Sequence, residues 1–329
     1  MKLRYCFGKD YATIVTGLGK PPHVLLKARP VPGQLADRLA APTPPGMELY
    51  LDLQDIEDSR AVERTLDNIR GLELDDNFIW LVEGPVRSLD GEFFDVTRDA
   101  DADRELIHLL GEVSAQIGAS TINIHAIAPR PMDFDCSELE RNRALERSVP
   151  IIQLFESQCV SRGIRPTIEN MPPVLRMRQG GFFVSPIGLS AEDLLRMVRH
   201  APEVRICLDY SHAQLYINAS AMAERGNGLE EFPELAAMLR RTPSPGSVTA
   251  YRQTLGEALL ACHVSNATGL LGEGAPYDEG DVDFNSEIPS ASSQVTYFVT
   301  ETLEPDQEHA TLMRLAQERL NQSVRRGPA

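Results

Sequence analysis

The chain has 329 residues, of which 42% are hydrophobic, and a formal net charge of −16 at pH 7. This composition supplies one large core, and no apolar run approaches the roughly 20 residues of a membrane-spanning helix. The acidic balance disfavours nucleic-acid partners, because phosphate backbones repel an acidic surface. The five cysteines contain no Cys-x-x-Cys pair, so neither a disulfide framework nor a thiolate zinc site is expected. With no secretory leader visible, we predict a cytoplasmic protein.

Short apolar runs alternate with amphipathic segments along the chain. We predict strands at residues 3–7, 47–53, 77–82, 120–124, 165–168, 204–208, 259–262 and 295–300. Helices are predicted at residues 34–41, 59–70, 103–117, 137–162 with a break near Pro150, 191–200, 232–240, 248–258 and 307–320. A long glycine-rich loop is predicted to run from the strand at 259–262 to Phe284.

This alternation predicts the fold class. Near-continuous apolar strands separated by helices indicate a parallel sheet in an α/β protein. Eight such units over this length favour a closed (β/α)8 TIM barrel, and a doubly wound open sheet is the alternative. We predict a single domain over residues 1–329, with a frayed C-terminal tail at 321–329.

Polar residues close five of the predicted strands, namely His125, Glu169, Asp209, His263 and Glu301. In a barrel the carboxyl ends of all strands open on one face, where active sites lie. Side chains far apart in the sequence are therefore expected to converge at one mouth. Asp209 also opens an Asp-Tyr-Ser-His motif that ends at His212, although an Asp there could simply cap a following helix.

Three carboxylates and one imidazole, on Glu169, Asp209, Glu301 and His263, suit a hard or borderline divalent cation. Because the set contains no thiolate, Mn, Mg or Co fits better than a structural zinc ion. A metal-bound hydroxy-carbonyl group has an acidified α-proton, which a nearby carboxylate can remove. Glu169 and Glu301 lie on well-separated strands and could face such a substrate from opposite sides.

Each of these residues also has a purely structural interpretation. Glu169 could cap a turn, and His263 could be a hydrogen-bonded core histidine. Glu301 could be a surface carboxylate, and Glu304 competes with it for the catalytic role. Glu83, in a Glu-Gly-Pro stretch, could mark an ordinary turn. The remaining histidines, predicted to be structural or to lie in loops or at the surface, are His23, His108, His200 and His309.

Taken together, these motifs resemble those of the xylose isomerase-like TIM barrels, a superfamily of sugar isomerases and epimerases, related dehydratases and AP endonucleases. The matching stretches are Ile-Asn-Ile-His125, Thr-Ile-Glu169-Asn170, Ile-Cys-Leu-Asp209-Tyr-Ser-His212, Ala-Cys-His263-Val-Ser, Glu279-Gly280-Asp281-Val-Asp283-Phe284 and Val-Thr-Glu301. The first third of the chain matches only in its rhythm of strands and helices.

The resemblance implies roles for individual residues. One divalent metal ion would be bound by Glu169, Asp209, His263 and Glu301. Of these, Glu169 and Glu301 would also act as the acid/base pair. Substrate would be contacted by His212, and we assign His125, Glu83 and Asn170 to the same substrate-binding group.

Our leading hypothesis is a metal-dependent isomerase or epimerase that moves a proton on a small polyhydroxylated carbonyl compound through a metal-stabilised enediolate. Its partner would be a small sugar or sugar-like molecule, and analogy to the family suggests a homodimer or homotetramer. The alternatives are a metal-dependent lyase or dehydratase, an AP-endonuclease-like phosphodiesterase, and a non-catalytic sugar-binding barrel. The endonuclease branch has a histidine where Glu83 stands and an Asp-x-His after the His263 strand. This sequence has neither, so a three-zinc site is not expected.

Overall fold

A closed barrel of eight parallel strands forms the centre of the protein. The computed structural model describes residues 21–176 and 181–326. The barrel strands are β1 (His23–Ala28), β2 (Gly46–Tyr50), β3 (Ile79–Glu83), β4 (Thr121–His125), β5 (Arg165–Glu169), β6 (Arg205–Asp209), β7 (Leu259–Val264) and β8 (Tyr297–Thr300). Each strand pairs with its neighbours in chain order, and β8 pairs with β1 to close the ring. The predicted TIM barrel, in a single α/β domain, is confirmed.

The helices pack around this barrel. They are α1 (Pro32–Leu39), α2 (Leu53–Ile56), α3 (Ser59–Arg70), α4 (Asp101–Ile117), α5 (Glu138–Val160), α6 (Ala191–Val198), α7 (Tyr210–Arg225), α8 (Pro233–Leu239), α9 (Val248–Leu255), α10 (Phe284–Ala291) and α11 (Thr311–Arg326). Side-chain caps fix several of their starts: Asp58 accepts from the backbone of Ala61 at α3, and Ser190 from that of Asp193 at α6. Among the described residues, no helix is both long and apolar enough to cross a bilayer.

The first barrel strand differs from the prediction. The strand predicted at residues 3–7 lies outside the described residues. The first barrel strand that the structure describes is β1, His23–Ala28, although His23 was predicted to lie in a loop. Its apolar run is only Val24–Leu26, between a histidine and a lysine, which is short for a recognisable strand. Nevertheless five of its six residues are buried, and it pairs with both β2 and β8.

Other boundaries were also missed. The prediction gave bounds for neither α7 nor α10, and the glycine-rich loop contains a two-stranded hairpin, Asn266–Thr268 with Gly272–Ala275. Helix α5 continues through Pro150, against the predicted break. Pro150 removes one backbone hydrogen-bond donor, but this does not end the 23-residue helix, because Ile151, Ile152 and Phe155 are buried in the part that follows the proline. Helix α11 extends to Arg326, beyond the predicted end at residue 320.

Close packing between β2 and β3 gives a testable consequence. A Cβ at Gly46 would lie 2.3 Å from the carbonyl oxygen of Ile79, so an alanine must push the two strands apart. We expect Gly46→Ala to lower the free energy of unfolding in urea by about 1–3 kcal/mol. Gly71→Ala is the matched control, because its Cβ would meet only the Asp67 carbonyl at 3.5 Å. It should change stability by less than ~0.5 kcal/mol, and equal effects in both variants would contradict the packing argument.

Candidate active site

Strand alternation brings the predicted site residues to the inside of the barrel. Residues two apart in a strand point to the same side of the sheet. Leu25, Leu81, Cys207, Ala261, Tyr297 and Val299 form one buried cluster, in which side chains from five strands meet. Two residues after five of them come the polar side chains Lys27, Glu83, Asp209, His263 and Glu301. The barrel interior is thus apolar at one level and ionisable at the next, toward the carboxyl ends of the strands.

Four predicted metal ligands meet in this polar layer. One potential ligand atom from each of Glu169, Asp209, His263 and Glu301 lies within 4.8 Å of all the others. His263 Nδ1 is 2.6 Å from Glu301 Oε2 and 3.2 Å from Glu169 Oε2. Glu169, Asp209 and His263 are buried, and the Glu301 side chain is 28% exposed. Three carboxylates and one imidazole are thus within reach of a single ion.

Unpaired atoms at this point indicate that the group fits a cation. Glu169 Oε1, Glu301 Oε2 and His263 Nδ1 are buried and have no aligned hydrogen-bond partner within the described residues. Each belongs to a predicted ligand, and a buried polar group without a partner is costly. An oxygen-rich set with one imidazole matches the preferences of Mn, Mg and Co.

Glu48 is a site residue that the sequence analysis missed. Its side chain is 2% exposed, and its Oε2 lies 2.9 Å from Nε2 of His263, on the side of the ring away from Glu301. The pair is at ion-pair distance without hydrogen-bond alignment. Metal-binding histidines usually present their second ring nitrogen to a carboxylate, and Glu48 lies in that position. A glutamate between Met47 and Leu49, inside an apolar strand, was the signal available in the sequence.

Lys27 is the second missed residue. Its ammonium contacts Glu83 Oε2 and Glu301 Oε1, and lies 3.8 Å from Glu48 Oε2. Burial by itself lowers the pKa of a lysine, but Glu301, Glu83 and Glu48 raise the pKa of Lys27 well above its usual value. Lys27 therefore stays positively charged. A lysine at the end of a short apolar run was its only sequence signal.

Asn170 holds Asp209 in place. Its Oδ1 accepts from the backbone nitrogen of Asp209 at 2.7 Å, and its Nδ2 donates to the Asp209 carbonyl at 3.0 Å. Asp209 in turn caps α7 by accepting from the backbone nitrogen of His212 at 2.6 Å. The capping and ligand interpretations of Asp209 are thus compatible. The predicted substrate-binding role of Asn170 stays a prediction, while its contacts favour positioning.

The two histidines predicted to bind substrate both line the cavity above the site. His212 Nδ1 is 2.8 Å from the Asn170 carbonyl, and its Nε2 is 3.2 Å from Glu273 on the 266–275 hairpin. Burial lowers the pKa of His212, but Asp209 and Glu273 reverse this and raise it well above the usual value. For His125, 3.4 Å from Glu83, burial prevails and the pKa falls. His212 is therefore cationic and His125 neutral at pH 7.

The carboxylates of the site differ in their charge states. Burial dominates for Asp209 and raises its pKa to about 7, and for Glu83 it raises the pKa well above the usual value. For Glu169 the opposing charge of His263 outweighs burial and lowers the pKa to about 2. Lys27 and His263 together hold the pKa of Glu301 well below its usual value. Both predicted acid/base carboxylates are therefore ionised at neutral pH.

A cavity of about 690 Å³ opens above these groups. Its volume is typical of a small-molecule site. The site residues Lys27, His125, His212 and Glu301 are part of its lining. Of the four predicted metal ligands, Glu301 lines the cavity, whereas Glu169, Asp209 and His263 do not.

Comparison with known proteins agrees with this architecture. The family model for the xylose isomerase-like TIM barrel matches residues 48–288, so the chain belongs to this family, as the motifs predicted. No curated protein matches the sequence.

Three similar solved structures illustrate the range of relatives. A D-tagatose 3-epimerase-like protein superposes with a TM-score of 0.61 at 14% identity, covering 92% of this chain and 98% of its own. A protein from Thermus thermophilus, soaked with ZnCl2, superposes with a TM-score of 0.60 at 17% identity, and the match covers 93% of this chain and 100% of that protein. An AP endonuclease of family 2 from Brucella melitensis superposes with a TM-score of 0.54 at 14% identity, and the match covers 89% of this chain and 98% of that protein. At these identities the similarity shows the fold alone.

The positioning role of Asn170 can be tested by stability. Removing its amide leaves two buried backbone groups of Asp209 unpaired, so Asn170→Ala should lower the free energy of unfolding in urea by about 2–4 kcal/mol. Asn142→Ala is the control, because the Asn142 side chain accepts one exposed hydrogen bond from Arg196 and has no other among the described residues, and it should cost less than ~0.5 kcal/mol. A loss for Asn170→Ala as small as that of the control would refute the role.

Proposed function

We propose that this protein is a divalent-metal-dependent epimerase or isomerase of a small polyhydroxylated carbonyl compound. The observation that carries the proposal is the convergence of Glu169, Asp209, His263 and Glu301, with ligand atoms within 4.8 Å of one another, in a group whose member Glu301 lines a cavity of about 690 Å³. Family membership supports it, since a D-tagatose 3-epimerase-like protein shares the fold. The predicted location and the predicted homodimer or homotetramer stay predictions.

The proposed metal ligands are the same four residues, with manganese, magnesium or cobalt preferred over zinc. A divalent ion bound there would polarise substrate oxygens and acidify the proton on the carbon beside a carbonyl group. Because one related structure carries a ZnCl2 soak, metal assays should also include zinc.

Glu301 is the better placed of the two proposed acid/base groups. Its side chain is ionised and 28% exposed, and it lines the cavity. Lys27 contacts one of its oxygens and His263 approaches the other, so the carboxylate has a fixed orientation. We assign Glu301 to removal of the proton from the carbon that changes configuration.

Glu169 would deliver or accept the proton on the other side. It lies deeper than Glu301, held by a hydrogen bond from Asn123 to Oε2, while its Oε1 is unpartnered and 3.5 Å from His212 Nδ1. His212 is a cation that lines the cavity, with its ring nitrogens facing the Asn170 carbonyl and Glu273, so a hydrogen bond from Nε2 to a substrate oxygen would replace the one to Glu273. Neutral His125 would either donate or accept one.

Metal removal tests the proposed centre. We expect about one divalent ion per chain by elemental analysis, and exchange of a carbon-bound proton for deuterium when ketoses are incubated with the protein in D2O. Chelation should abolish this exchange, and Mn2+, Mg2+ or Co2+ should restore it. Exchange that survives complete removal of metal would overturn the proposal.

Two glutamine variants test the proposed acid/base pair. Glu301→Gln and Glu169→Gln should each slow deuterium exchange by roughly 10²–10⁴-fold, because each removes a proposed acid/base group. Each variant also loses a proposed metal ligand and should weaken Mn2+ binding by at least about 10-fold. Glu257→Gln, at an exposed position before β7, is the matched control and should retain both properties. Unchanged exchange in both site variants would instead favour a binding barrel without catalysis.

A further inference from the structure

The barrel mouth contains more carboxylates than one metal site needs. Besides the proposed ligands, Glu48 on β2 and Glu83 on β3 are both 2% exposed and face the same interior. Two groups that contain these glutamates also have ligand atoms within 4.8 Å of one another: Glu48 and Glu83 with His263, and Glu83 with His125 and Glu169. By geometry alone, the mouth could therefore hold a second ion next to the first.

A protein cation already lies among these carboxylates. The Lys27 ammonium contacts Glu83 and Glu301 and is 3.8 Å from Glu48. It therefore touches both the second carboxylate group and one proposed ligand of the first ion. In a two-metal centre, a second ion bridged through shared carboxylates would contact the same kinds of oxygen.

We propose that the Lys27 ammonium occupies a second cation site formed by Glu48, Glu83 and Glu301, and thereby limits the centre to a single metal ion. This inference rests on the metal centre of the proposed function, and it adds a second divalent-cation site that the lysine fills.

The choice of residue supports this role. The chain has lysines only at positions 2, 9, 20 and 27, so Lys27 is the one lysine within the described residues. Apart from histidines, the other buried cationic side chains among the described residues are arginines: Arg38 donates to the carbonyls of Gln307 and Glu308, and Arg252 pairs with Glu287. A guanidinium is a planar fork, whereas an ammonium is a compact charge with three donors. A compact charge is the closer substitute for a metal ion among three carboxylates.

The crowding of carboxyl groups leads to the same result. Glu48, Glu83 and Glu301 all lie within 3.8 Å of the Lys27 ammonium. Removing the ammonium would leave these acidic groups adjacent without the cation that contacts them, an arrangement that is relieved either by protonation or by another cation. A divalent ion would take the place of the ammonium, whereas protonation would leave the metal count unchanged.

The test is the metal stoichiometry of Lys27→Met, which keeps an unbranched side chain one atom shorter and removes its charge. Each variant is saturated with Mn2+, separated from free ion by gel filtration and analysed for manganese per folded chain. We expect about one ion in the wild type and about two in Lys27→Met. A two-ion centre should also show spin coupling in the Mn2+ electron paramagnetic resonance spectrum, in place of the six-line signal of an isolated ion.

Three further variants make the result specific. Lys27→Met with Glu83→Gln should return to one ion, because a ligand of the second site is lost. Lys27→Arg should keep one ion, because the charge is retained. Arg29→Met removes a neighbouring cation that pairs with Asp55 outside the centre, and it should keep one ion.

The outcomes decide between the two proposals. One ion in the wild type and still one in Lys27→Met overturns the second cation site while leaving the proposed metal centre intact. No bound ion in the wild type overturns the proposed function itself. If Lys27→Met folds only when Mn2+ is added and then holds two ions, the inference is supported. If it fails to fold with Mn2+ while Lys27→Met/Glu83→Gln folds without a second ion, no cation replaces the lysine and the inference is wrong.

Discussion

The burial of five carboxylates at one end of a single barrel is the constraint on which the rest of this structure depends. The five are Glu48, Glu83, Glu169, Asp209 and Glu301, and only Glu301 has appreciable exposure. Ionised carboxylates are poorly tolerated away from water unless cations or donors lie against them. The barrel meets this requirement from within its own strands, by placing Lys27 and His263 between the acids.

His263 links the two halves of this arrangement. Its Nδ1 faces Glu301 and Glu169, whereas its Nε2 faces Glu48. Glu48 therefore lies against the ring nitrogen opposite the one that faces the proposed ligands. The charge of this same imidazole is the main influence that lowers the pKa of Glu169 to about 2. A carboxylate outside the proposed ligand set is thus connected to the acid/base group Glu169 through a single side chain.

The sequence predicted the fold and the proposed ligands for one physical reason. Glu169, Asp209, His263 and Glu301 each follow an apolar run, and the carboxyl ends of parallel strands must meet on one face. Glu48 and Lys27 could not be found in the same way. Glu48 lies inside a strand, where a charged residue is visible but its interior orientation depends on pairing with β3. Lys27 belongs to a strand whose apolar run is too short to be recognised and which becomes evident through its pairing with β2 and β8.

The hairpin at 266–275 could not be predicted for a related reason, and it contributes to the charge of the cavity wall. Its sequence is that of a glycine-rich loop, and contacts with α7 hold its short strands: the Gly274 nitrogen donates to Ser211, and Asn218 donates to the Gly269 carbonyl. This anchoring brings Glu273 against His212 at the cavity wall. Together with Asp209, Glu273 raises the pKa of His212 well above its usual value. The hairpin therefore helps to keep His212 cationic where it lines the cavity, and the Lys27 ammonium lines the same cavity as a second cation.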